Sequence, residues 1–94
     1  MADKETFQKE IRAKLEEWNR MIDELRAQGQ KMLESNSIDL IDHANKGQII
    51  YKKYLQARQA MEELAKADNT TWEKHRTNIQ KIMIELNRLW ETMF

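Results

Sequence analysis

Two histidines, His43 and His75, are the side chains of this sequence best suited to bind a transition metal. Carboxylates at Glu62, Glu63 and Glu73 would complete a ligand set if the segments that carry them met in space. Helical bundles that hold two metal ions in this way use Glu-x-x-His pairs, and the sequence contains none. We therefore interpret both histidines as structural and predict no metal and no other cofactor.

Catalytic motifs are also missing from the sequence. It has no recognisable Ser-His-Asp arrangement, no glycine-rich phosphate loop and no pair of acids in a marked pocket. Acidic side chains are abundant, but solvated helices need them, and a binding scaffold explains them without a cleft. The sequence therefore predicts that the protein is not an enzyme.

A local basic segment has a chemistry of its own. Between residues 46 and 58 the charged side chains are all basic, and two tyrosines lie among them. Basic and aromatic side chains together can hold phosphates and stack on bases, so nucleic-acid binding is the alternative function. Acids bracket the segment on both sides, and we favour a solvated or cross-helix-paired face. The candidate nucleic-acid residues are Lys46, Tyr51, Lys52, Lys53, Tyr54 and Arg58.

The composition limits the classes of partner. Sixteen basic residues balance sixteen acidic ones, so the chain lacks the excess of positive charge typical of proteins that bind nucleic acid or anionic membranes. The 94 residues include no cysteine, no apolar run long enough to span a bilayer and no signal-peptide core near the N-terminus. We expect a cytoplasmic protein.

The spacing of the apolar residues predicts the elements that carry these side chains. Between residues 11 and 34 they recur at alternating steps of four and three, which is the repeat of a helix that packs along one seam against another helix. Such a helix is unstable without its partner. The seam positions are Ile11, Leu15, Trp18, Ile22, Leu25, Gly29 and Met32.

The seam changes phase within residues 35–47, where helix-disfavouring residues are concentrated. This change indicates either a turn or a stutter in one long helix, and we favour a turn at Ser35-Asn36-Ser37. A second boundary is marked by Thr70-x-x-Glu73, which fits a capping box. The sequence thus predicts helices over about 4–34, 38–67 and 71–93.

The apolar stripes are wide enough to pack against two neighbouring helices. We therefore predict an all-α fold, an antiparallel three-helix bundle or coiled-coil-like helical hairpin, in a single domain of residues 1–94. The predicted core comprises Ile11, Leu15, Trp18, Ile22, Leu25, Ile50, Tyr54, Met61, Leu64, Trp72, Ile79, Leu86 and Leu89.

The C-terminal segment, residues 78–94, is apolar nearly all round. A helix of this kind usually has a second surface to bury, so we predict an oligomer or partner interface at Ile84, Trp90, Met93 and Phe94. Intramolecular packing and peripheral membrane contact are the alternatives. The predicted function is a non-catalytic module for protein–protein interaction or self-assembly, with a homo-oligomer or a helical protein as partner.

Two segments, KLEEWNRMIDEL (residues 14–25) and YKKYLQARQAMEELAKADNTTWEKHRTNIQKIMIELNRLW (residues 51–90), carry a resemblance to a known family. They resemble the small bacterial coiled-coil proteins of the stress-response class, in which an L-x-E-W-x-x-x-I-x-x-L helix precedes a charged helix and a closing Trp helix. The landmarks are Trp18 and the turn at Trp72. The resemblance implies a helical hairpin or bundle and a loose association with stress, and it brings no catalytic residues.

Overall fold

Three α-helices account for the fold. The computed structural model describes residues 3–94, with Asp3 described by its backbone alone, and contains no strand in this range. The helices are α1 (Asp3–Glu34), α2 (Leu40–Lys66) and α3 (Trp72–Met93). The all-α three-helix prediction is confirmed, with α2 beginning two residues later than predicted. Of the predicted domain, residues 1 and 2 lie outside the described range.

The helices run antiparallel in chain order. The Lys4 ammonium donates to the carbonyl oxygen of Ala67, so the start of α1 lies beside the end of α2. Phe7 contacts Trp72 with ring centroids 6.3 Å apart, which places the start of α3 at the same end of the molecule. Farther from this end, an ion pair joins α2 to α3. The Lys53 ammonium lies 2.5 Å from the Glu85 carboxylate.

A Schellman motif ends α1 and confirms the predicted turn. Asn36 adopts a left-handed backbone with φ 55°, a conformation that asparagine tolerates better than most residues. The Ser37 N–H donates to the Met32 carbonyl at 2.9 Å, and the Asn36 N–H donates to the Leu33 carbonyl at 3.2 Å. This pair of bonds satisfies carbonyls that the helix end leaves free. Residues 35–39 therefore form a tight turn, and the stutter alternative is wrong.

The predicted capping box at Thr70 and Glu73 is wrong, because the N-cap residue of α3 is Thr71, which makes no side-chain capping hydrogen bond, and the Thr70 hydroxyl donates to Asp68 instead. The Asp68 Oδ1 atom accepts from the N–H groups of Thr70 and Thr71 at 2.9 and 3.0 Å, and also from both threonine hydroxyls. The Trp72 N–H donates to the Asp68 carbonyl at 3.2 Å. These contacts form an Asx turn, in which the carboxylate satisfies backbone N–H groups of the connection just before α3.

These hydrogen bonds favour the ionised carboxylate and lower the pKa of Asp68 from 3.8 to about 2, with the Thr70 hydroxyl as the largest cause. A lowered pKa in the folded state contributes stability that is fully present above pH ~4 and is lost as the pH falls towards ~2. We therefore expect Asp68→Asn to be less stable than the wild type at pH 7, with a difference that shrinks between pH 4 and pH 2. Urea denaturation followed by circular dichroism at each pH measures this, and a constant difference would contradict it.

The core is a single cluster that runs through all three helices. Every predicted core residue is buried except Leu89, which is half-buried and packs against the cluster. Four further side chains are buried that were not predicted from the sequence, three of them in this cluster and the fourth, His43, outside it. They are His43, Ala57, Ala60 and Met83.

The molecule is a rod of about 53 × 18 × 18 Å, and its third helix is shorter than the first two. At 1.5 Å per residue α1 is about 48 Å long and α3 about 33 Å. The ring centroids of Phe94, at the end of α3, and His43 lie 6.2 Å apart, and the His43 ring is hydrogen-bonded to the Leu25 carbonyl of α1. In the part of the chain that the structure describes, α3 therefore does not reach the section of the α1–α2 hairpin beyond this level.

Candidate interaction surface

The predicted C-terminal interface is divided between the core and the surface. Trp90 is half-buried and meets the buried Trp18 edge to face, with ring centroids 5.5 Å apart. Met93 is also half-buried and packs against the core. Phe94 is half-exposed and packs against Trp90, with ring centroids 4.9 Å apart. Ile84 is 58% exposed and lies on the outer face of α3. The structure therefore brings Trp90, Met93 and Phe94 together and leaves Ile84 apart from them.

The candidate nucleic-acid residues do not share one surface. At about 100° per residue, Lys46 and Lys53 lie on the side of α2 that faces α3, and Lys52 points away from the bundle. The Lys46 ammonium is 2.9 Å from the Asp42 carboxylate and 5.9 Å from the centre of the Phe94 ring. The Lys53 ammonium is held by Glu85.

The remaining members of that set lie on the opposite flank of α2 or inside the core. Tyr54 is buried, with the Arg58 guanidinium 5.9 Å from its ring centre. Tyr51 is half-buried beneath the Arg26 guanidinium of α1, at 4.8 Å. A phosphate backbone needs its cations along one face. The arrangement around α2 does not provide such a face.

His43 has a structural role at the contact between α1 and α2. Its Nε2 atom donates to the Leu25 carbonyl oxygen at 2.8 Å, and the ring is buried. A Cβ added at Gly29 would lie 3.4 Å from the ring, at ordinary van der Waals distance, so the imidazole packs directly against α1 at this position. His75 is half-buried on α3. Within residues 3–94, no three side chains of the His, Cys, Asp or Glu types lie close enough together to hold a metal ion.

The largest concentration of exposed aliphatic side chains is at the end of the α1–α2 hairpin. Leu33 in the last turn of α1 is 54% exposed, Ile38 in the connection is 95% exposed, and Ile41 in the first turn of α2 is 75% exposed. We call residues 33–41 the hairpin tip. This surface was not predicted from the sequence, because Ile38 and Ile41 fall in a segment whose polar residues indicate a turn.

An apolar groove lies between α1 and α2 next to the hairpin tip. Its volume is about 420 Å³. Its polar margin is formed by Arg26, Gln30 and Gln48. Its walls and floor are formed mainly by small, aliphatic and aromatic residues, namely Ile22, Leu25, Gly29, Leu33, Leu40, His43, Ala44, Gly47 and Tyr51.

A substitution at Gly47 tests whether the groove is empty in the folded protein. A Cβ added there meets no atom within 4 Å, so the position is open in the folded protein. Because glycine is less favourable than alanine inside a helix, we expect Gly47→Ala to raise the free energy of unfolding by about 0.5–1 kcal/mol. Thermal unfolding followed by circular dichroism measures the gain. A loss of stability would show that the space above Gly47 is filled in the native protein.

Together these features define a small helical bundle with an uncovered hairpin end. Comparison of the chain with known protein families, with curated proteins and with solved structures gives no match. The resemblance to stress-response coiled-coil proteins therefore stays a prediction. Among the described helices, none has both the length and the apolar run that crossing a bilayer requires.

Proposed function

We propose that this protein is a non-catalytic helical module that associates with a second copy of itself, or with another helical protein, through the hairpin tip. The observation that carries the proposal is the exposure of Leu33, Ile38 and Ile41 within nine consecutive residues. Single exposed aliphatic residues are ordinary on protein surfaces, whereas a group of them marks an interaction site.

The position of the tip supports the same proposal. Between the start of α3 and the level of Phe94, α3 covers the α1–α2 pair, and aromatic side chains of α1 and α3 meet along this length. Among residues 3–94, no part of α3 covers the two helices of the hairpin past the level of Phe94. A partner helix placed there would continue the packing that α3 provides elsewhere in the molecule.

The energetics favour a modest association. Complete burial of an Ile or Leu side chain is worth about 1.5–3 kcal/mol, whereas association itself costs at least ~4 kcal/mol in lost freedom. Three such side chains therefore supply an anchor but not a tight complex. A second copy is the first partner to test, since the zero net charge of the chain gives no long-range repulsion between copies.

Sedimentation velocity over a range of concentrations tests this proposal. We expect the wild type to show a concentration-dependent rise in mass and the Ile38→Glu/Ile41→Glu variant to remain a monomer. Ile84→Glu is the matched control, because it places the same charge at an exposed isoleucine of α3. We expect it to behave as the wild type does.

The other outcomes are equally informative. Disruption by Ile84→Glu alone would transfer the interface to α3, which the sequence first indicated. Monomeric wild type at every concentration would exclude self-association. Two negative results together would overturn the proposal. They are a wild type that does not self-associate, and equal binding of helical partners by the wild type and the Ile38→Glu/Ile41→Glu variant.

A further inference from the structure

We propose that the groove between α1 and α2 binds a small amphipathic anion, an alkyl carboxylate or alkyl sulfate, with its chain in the groove and its head group at Arg26. This inference goes beyond the proposed function and does not depend on it. It rests on the size of the groove, the open space at Gly47 and the position of one cation.

The size of the groove suits a single alkyl chain. Its volume of about 420 Å³ falls within the range of small-molecule sites. It is roughly three times the ~150 Å³ of an engineered apolar cavity that binds benzene. The lining residues span residues 22–33 of α1, a length of about 16 Å that suits an extended chain of roughly ten to twelve carbons.

The glycine at position 47 keeps the groove open. Gly29 has a reason within the fold, because the His43 ring packs against it. Gly47 has no such neighbour, since an added Cβ would meet nothing within 4 Å. Without a Cβ, glycine permits a close approach of the helix backbone to a ligand. Here the approach would be from the groove side, where Gly47 is part of the lining.

Arg26 supplies the charge that selects an anion. Its guanidinium lies over the Tyr51 ring at 4.8 Å, so it reaches from α1 across to the far wall of the groove. The Asp23 carboxylate is 3.7 Å away, and both side chains are largely exposed. An exposed pair at this distance is weak, and a carboxylate or sulfate head group can compete for the guanidinium.

These positions also orient the ligand. Tyr51 is the lining residue of α2 that lies farthest from the connection, whereas Leu33 and Leu40 lie beside it. A head group held at Arg26 therefore leaves the chain to run along the apolar walls towards the hairpin tip. The bound species is a single free amphiphile, not the surface of a membrane.

Isothermal titration calorimetry with decyl sulfate, kept below its micelle concentration, tests the proposal on the full chain. We expect one saturable site in the wild type. Gly47→Leu fills the groove while improving helix propensity, and we expect it to weaken binding at least tenfold with an unchanged or higher midpoint of thermal unfolding. Gly47→Ala, which adds a single carbon, is the control and should keep most of the affinity.

The charge requirement is tested separately. Decyltrimethylammonium has the same chain with a cationic head group, and we expect it to bind the wild type at least tenfold more weakly than decyl sulfate. Arg26→Gln should reduce decyl sulfate affinity about five- to tenfold and narrow that difference. The Ile38→Glu/Ile41→Glu variant should retain binding, which separates this site from the proposed protein interface.

Three results would overturn the proposal. The first is the absence of a saturable site for decyl sulfate in the wild type. The second is a lack of difference in either comparison, that of Gly47→Leu with the wild type or that of the two head groups. The third is binding to anionic phosphatidylglycerol vesicles without binding of the monomeric amphiphile, which would assign the affinity to a membrane surface.

Discussion

Replacing Trp18 with alanine is expected to lower the free energy of unfolding by about 3–5 kcal/mol, the range for removing a large buried aromatic side chain. Trp18 is buried in the middle of α1 and meets Trp90 edge to face, so it joins α1 to α3 as well as filling the core. Urea denaturation followed by far-ultraviolet circular dichroism measures the loss without relying on tryptophan fluorescence.

Further variants separate the two contributions of Trp18, which are filling the core and contacting Trp90 of α3. Trp18→Phe keeps an apolar ring at the position, and we expect it to lose less stability than Trp18→Ala. In a double-mutant cycle with Trp90→Ala, the coupling should be about 0.5–1.5 kcal/mol, as for other aromatic pairs. A loss below ~1 kcal/mol for Trp18→Ala would place this side chain outside the core.

Ile79→Ala and Ile84→Ala are expected to differ sharply although both change the same residue type on α3. Ile79 is fully buried, so its truncation should cost about 2–5 kcal/mol through lost burial and the cavity left behind. Ile84 is largely exposed, so its truncation should stay within about 0.5 kcal/mol. The same denaturation measurement compares the two variants.

The pair tests the rotational setting of α3. The two positions are five residues apart, which places them on nearly opposite faces of the helix. Similar losses for both variants would mean that α3 has a second buried face in solution, as an oligomer interface on that helix would require. A loss of stability for Ile84→Ala and none for Ile79→Ala would mean that the face of α3 carrying Ile84, and not the face carrying Ile79, is buried.

The core was largely predictable from the sequence because the apolar repeat determines which face of each helix is buried. The positions Ile11, Leu15 and Trp18 follow this repeat and are all buried. His43 could have been assigned as well, since it lies seven residues before Ile50 on the same face of α2. Its polarity and the neighbouring helix-disfavouring residues concealed that relation.

The helix boundaries were harder to predict because several side chains compete for the same backbone groups. Asp68, Thr70 and Thr71 are all good cap residues, and local geometry decides among them. Asp68 accepts from both threonine hydroxyls, so these side chains hold the turn before α3 and do not form the predicted box.

The exposure of the C-terminal residues and the groove between α1 and α2 depend on where the helices end relative to one another. The apolar repeat does not encode these relative positions. Trp90 and Met93 looked available because the end of α3 is apolar on several sides, yet they pack against the core. The groove was equally hidden, since it combines Gly47 of α2 with Arg26 of α1.

The unequal lengths of the helices have a consequence for how the molecule opens. Separating the last turn of α1 from the first turn of α2 breaks few side-chain contacts, because α3 stops at the level of His43. The Trp18–Trp90 contact, farther along the rod, stays intact during such an event. Amide protection should therefore be graded along the long axis, weakest around Ile38 and strongest in the three-helix section, so that one end fluctuates while the remainder stays folded.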